Sequence, residues 1–141
     1  MSLFGKADYW YFEKAIPKKQ CNEIIKFGKK LEKEQAVVDN NKIDYEMRNS
    51  HQFTEYKGKD KQHYNWHVDA NPAPYDENSR ENWKGKIRKL SCCINLSNPK
   101  DYEGGMFYVA VDGKTGIKKE VQRVREMSEQ GSIIVFPSQI Y

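Results

Sequence analysis

The apolar positions of the chain repeat at two different spacings. Residues 9 to 16, "YWYFEKAI", form an aromatic, β-prone run that predicts an edge strand or arm. Pro17 then stands where a helix takes its first residue. Cys21, Ile24, Ile25, Gly28 and Leu31 follow at helical spacing, which predicts an amphipathic helix over about 17 to 34. Asp39-Asn40-Asn41 is a turn signal. Beyond it the spacing is that of strands. "QFTEY", 52 to 56, alternates weakly and is ended by "KGKDK". A polar loop runs from Pro72 and Pro74 to about Gly85. "IRKLSCCINLS", 87 to 97, is the strongest candidate for a buried strand, and "NPKDYEGG" is a turn with free backbone angles at Gly104-Gly105. "MFYVAV" predicts another strand, with Asp112-Gly113 a tight turn after it. "IKKEVQRVREM" reads as a polar strand or a short helix. Gly131 opens a last strand, "SIIVF", stopped by Pro137. Short strands after one N-terminal helix predict a β-rich sandwich or barrel.

Composition narrows this picture only slightly. The 141 residues suffice for one domain with a core. Hydrophobic residues at 38% and aromatic residues at 13% exclude a disordered chain. The apolar runs are too short to span a membrane. "MSLFGKADYW" has no basic region followed by an apolar stretch, so no secretory signal is expected and the expected location is the cytoplasm. A net charge of +4 is spread through "KKQ", "GKKLEKE", "KGKDK" and "KGKIRK", the pattern of solvated surface more than of a nucleic-acid groove. The three cysteines, Cys21, Cys92 and Cys93, form no Cys-x-x-Cys, which argues against a zinc knuckle or a redox pair. Inside an apolar run, Cys92 and Cys93 are expected to act as small core residues.

The chemistry concentrates in "HYNWHVDANPAP", residues 63 to 74, which holds two of the three histidines. On a strand, residues i and i+2 project from one face, about 6 to 7 Å apart at the backbone. His67 and Asp69 could therefore converge on one ion. One imidazole and one carboxylate make two thirds of the facial triad of non-haem Fe(II) oxygenases. The bland alternative is a surface strand with a salt-bridged pair. His63 would lie about 13 Å from His67 on a straight strand, too far for both to bind one ion. His51 has nothing in the sequence to aim it.

Taken in order, "QFTEY", "HYNWHVDA", "RKLSCCINLSNPKDYEGG" and "GSIIVFPSQIY" resemble the prolyl-4-hydroxylase-like branch of the 2-oxoglutarate- and Fe(II)-dependent oxygenases, most of all its small bacterial and phage hydroxylases. The resemblance covers about 52 to 141. It implies a mainly β fold with an N-terminal helix, a double-stranded β-helix of the jelly-roll or cupin-like kind, with residues 1–50 as helical support and 51–141 as the β-helix core of one domain. It implies that His67 and Asp69 bind Fe(II), that Tyr64 hydrogen-bonds 2-oxoglutarate, and that Arg88 orients the substrate. Ascorbate is a further possible cofactor. The expected substrate is a peptidyl proline or a small molecule, with no membrane partner and nucleic acid disfavoured. Simple alternation sets Tyr64 on the face opposite His67, so the chain must bend between them or Tyr64 must precede the strand.

In the family, a distal histidine and a basic 2-oxoglutarate anchor follow the segment that resembles "FPSQIY". The chain therefore looks like a shortened version of the domain, missing its last strands, with open sheet edges that invite self-association. Two readings result. One is a dioxygenase, with the activity of this chain alone in question. The other is a catalytically inactive β-sandwich binding or interaction module derived from that family.

Overall fold

The computed structural model describes residues 9–31, 34–38, 42–48, 52–69, 73–77, 83–112 and 119–140. Strand β1 (Trp10–Phe12) comes first and helix α1 (Lys18–Gly28) second. Then follow β2 (Glu34–Val38), β3 (Lys42–Arg48), β4 (Phe53–Glu55), β5 (Leu90–Ile94), β6 (Tyr108–Asp112), β7 (Lys119–Arg123) and β8 (Ile133–Pro137). All pairings are antiparallel. The strands make a sheet ordered β1-β8-β5, a sheet ordered β2-β3-β4, and the pair β6-β7. Among the described residues the fold is β-rich with one α-helix, as the spacing predicts.

Strand β8 is central, pairing β1 on one side and β5 on the other, and its burial alternates as that of a half-covered strand must. Ile134 and Phe136 are buried, while Ile133, Val135 and Pro137 lie on the outer face. Ile134 and Phe136 meet Val109 of β6, Val124 just after β7, and Met127, with Phe107 and Phe136 rings 6.0 Å apart. The core therefore lies where the inner face of the β1-β8-β5 sheet meets the β6-β7 pair. Removing a Phe or Ile from such a core costs about 2–5 kcal/mol.

Polar bonds tie the ends of this core together. The Asn95 amide donates to Met127 O at 2.8 Å, and the Gly131 amide donates to Asn95 O at 2.7 Å. Gln130 donates to Leu96 O and to the Asn22 side chain, linking α1 to the same end. Gly131 has φ +85, and a Cβ there would stand 2.0 Å from Ile16 O. Only glycine lets these two backbones approach.

Three expectations change. The helix stops at Gly28, short of residue 34. A Cβ at Gly28 would lie 2.5 Å from the Phe53 ring, so this glycine is the point where α1 rests on β4. The segment "LSCCI" is not fully buried. Its inner face carries Ser91 and Cys93, while Leu90, Cys92 and Ile94 face outward and are exposed, so Cys92 is no core residue. Apolar composition fixed the strand but not how many of its faces are covered. "IKKEVQRVREM" divides into β7 and a 3-10 turn, Arg125–Ser128. Among the described residues before 51, β1, β2 and β3 accompany α1. The turn at 39–41 and Gly113 lie outside the described residues.

Candidate functional site

The "HYNWHVD" segment forms no strand. After the 3-10 turn Gly58–Asp60, Lys61 takes a left-handed conformation, φ +51. The Lys57 amide donates to Gln62 Oε1 at 2.8 Å, which closes the loop. Residues 62–69 then run irregularly, held by side chains that bond to nearby backbone instead of by a ladder. His63 Nδ1–H donates to Lys61 O at 3.0 Å, and its Nε2 meets the Asn65 side-chain amide at 3.0 Å. His67 Nδ1 lies 2.8 Å from Asn65 O.

A carbonyl oxygen only accepts, so Nδ1 of the His67 ring carries a proton, and when the ring is neutral its Nε2 offers a lone pair. That nitrogen faces Asp69 Oδ1 at 2.8 Å. An ionised carboxylate also only accepts. Two acceptors this close require a proton or a cation between them. Two donors each about 2.1 Å from one ion, near a right angle apart, would stand roughly 3 Å from one another. An imidazole and a carboxylate at this distance match a divalent transition-metal cation in spacing and in donor type. The Asn65 carbonyl plays the part that a hydrogen-bonded partner plays behind most metal-binding histidines.

The other sequence candidates gather around this pair. The Tyr64 ring packs on the His67 ring, centroids 3.9 Å apart and tilted by 49°. The alternation that would have separated them does not apply, because the backbone is not extended. Arg88 Nη1 lies 3.9 Å from Asp69 Oδ2. Arg88 is delivered by the stem of the preceding loop, where Tyr75 and Lys86 are paired through the backbone and the Tyr75 and Trp83 rings lie 5.2 Å apart. His67, Asp69, Tyr64 and Arg88 are therefore neighbours although no regular element holds the first three.

Two residues of the site escaped the sequence reading. Burial pushes the Cys93 thiol up to about 11, and the Asp69 carboxylate and Cys92 add to this. Burial likewise pushes the Tyr56 hydroxyl up to about 12, with Cys93 and Tyr64 contributing. Both groups stay neutral at ordinary pH, Cys93 within reach of the Asp69 carboxylate. The signal for Cys93 was its place two residues from Ser91 on the covered face of β5. Tyr56 carried none beyond following the short strand β4.

His63 turns both ring nitrogens to local partners and does not join His67. His51 lies outside the described residues. Among the described residues, no group of three His, Cys, Asp or Glu side chains comes together as a metal site.

A family model described as the 2OG-Fe(II) oxygenase superfamily matches residues 51–141, more than half of the chain. The chain belongs to that superfamily, a dioxygenase-type family whose reaction implies Fe(II), 2-oxoglutarate and a further substrate. No curated protein and no solved structure matches the chain. No helix among the described residues is long and apolar enough to cross a membrane.

Proposed function

We propose that the chain is a 2-oxoglutarate- and Fe(II)-dependent hydroxylase of the prolyl-4-hydroxylase-like kind, acting on a peptidyl proline or a small substrate. The observation that carries this is the His67–Asp69 pair, two acceptors 2.8 Å apart with the imidazole proton committed to Asn65 O. A double-stranded β-helix packs two antiparallel sheets face to face. The common core of the β1-β8-β5 sheet and the β6-β7 pair supports that architecture.

His67 Nε2 and Asp69 Oδ1 would hold Fe(II). A metal held there would supply the site at which dioxygen and 2-oxoglutarate react, one oxygen atom going to the substrate C–H bond and the other to succinate as CO2 is released. The protein's share is positioning and charge. The Asn65 carbonyl fixes the imidazole, and Tyr64 braces one face of it. The Tyr64 hydroxyl is the hydrogen-bond donor proposed for the cosubstrate. Arg88 offsets the Asp69 charge and has further N–H groups with which to orient a substrate carbonyl. Cys93, held neutral, adds no negative charge near the carboxylate.

Anaerobic titration tests the reading. Under argon, Fe(II) and 2-oxoglutarate together should give a weak visible charge-transfer band, absent with either alone and lost in His67→Ala and in Asp69→Ala. Absence of the band at high ligand in the unmodified chain would favour the inactive binding module instead.

A further inference from the structure

At the Asn95 end of the β5-β8 ladder, away from the Leu90 end that Arg88 enters, lies a cavity of about 110 Å³. Its floor is apolar, made by Phe107, Val124 and Met127, with Met106 and the Tyr102 ring at the sides. Arg123 and Arg125 also line it. Arg123 ends β7 and Arg125 opens the 3-10 turn, with the buried Val124 between them. Among the described residues neither guanidinium enters an ion pair, although Asp101, Glu103 and Glu126 stand on the neighbouring turns. Most other polar groups of the wall are already engaged. The Tyr102 hydroxyl accepts from Asn95 and donates toward Ser128 O, and Ser128 Oγ donates to Arg125 O. Gly104 and Gly105, with φ +79 and +59, leave the wall on their side free of side chains.

We propose that this cavity is a binding site for a small carboxylate carried on an apolar ring or short chain. An apolar cavity of about 150 Å³ takes up a benzene ring, so the space here suits one ring or its aliphatic equivalent. The guanidiniums supply planar, charge-assisted donors that match a carboxylate. The floor supplies the apolar contact that a bare inorganic anion would not use. The site is separate from the His67–Asp69 pair and does not depend on the metal.

The test is a ¹H–¹⁵N chemical-shift titration of the whole chain with three probes: benzoate, the neutral isostere benzamide, and inorganic phosphate. Benzoate should give saturable shifts centred on the amides of Gly104, Gly105, Phe107 and Arg125, with at least tenfold weaker binding of benzamide and of phosphate. In the double variant Arg123→Gln, Arg125→Gln, benzoate binding should fall at least tenfold while the amides of β5 and β8 keep their positions. Equal binding of benzamide, equal binding of phosphate, unchanged binding in a folded double variant, or no saturable shift would each overturn the assignment. Should the double variant lose its fold, the ranking of the three probes on the unmodified chain still decides.

Discussion

The β5-β8 ladder and the loop of residues 62–69 sit side by side but are held by different forces. The ladder is pinned by buried side chains and by hydrogen bonds between residues far apart in sequence, such as Asn95 to Met127. The loop is held by contacts that span two or three residues, His63 to Lys61, His67 to Asn65, Tyr64 on His67, and its His67 and Asp69 side chains are 44% and 21% exposed. Fold stability is concentrated in the first region and chemistry in the second. Substitutions should therefore separate the two properties.

The largest loss of stability is expected from Phe136→Ala, about 3–5 kcal/mol by urea denaturation, because the ring fills the centre of the core. Gly131→Ala should cost about 2–4 kcal/mol, since a Cβ meets Ile16 O and the positive φ is strained as well. If Gly131→Ala left the urea midpoint unchanged, the close approach of the two backbones would be wrong. Asn95→Ala should cost about 1–3 kcal/mol by leaving part-buried carbonyls unpaired. By contrast, Asp69→Asn should change stability by less than about 1 kcal/mol, as expected of an exposed pair, yet abolish the Fe(II)–2-oxoglutarate band. A large stability loss in Asp69→Asn would erase the distinction between scaffold and site.

Alkaline pH sharpens the comparison in a different way. Cys93 and Tyr56 are neutral acids whose folded pKa values, about 11 and about 12, lie above their ordinary values. The unfolded chain releases these protons first. Their stabilising effect is thus complete below about pH 9 and is lost as pH rises toward 11 and 12. Stability measured from pH 8 to 11 should fall, and Cys93→Val should flatten the lower part of that fall. An unchanged slope in Cys93→Val would place the thiol in open water.

How much of this was legible in the sequence follows the same division. "SIIVF" announced β8 as a short apolar, β-branched run between Gly131 and Pro137, and the aromatic run before Pro17 announced β1 and its edge position. The exposed outer face of "LSCCI" was not legible, since an apolar run looks the same whether one face or two are covered. At the site, the types and order of His67, Asp69, Tyr64 and Arg88 were readable, but the extended geometry assumed for them was not the one adopted. Strand periodicity cannot describe a segment whose conformation is set by histidine-to-backbone bonds. Tyr56 and Cys93 were missed because the surroundings that mark them are assembled from β5 and from the loop, which are distant in sequence.

The oxygen that orients the His67 ring belongs to the main chain of residue 65, not to a side chain. Replacing Asn65 by alanine leaves that oxygen in place. Such a change removes the Asn65 side-chain contact with His63 while the His67 imidazole keeps its partner. The contact can be removed only by moving the peptide plane itself, so the orientation of this ligand is safeguarded against most single-residue changes at the position that supplies it.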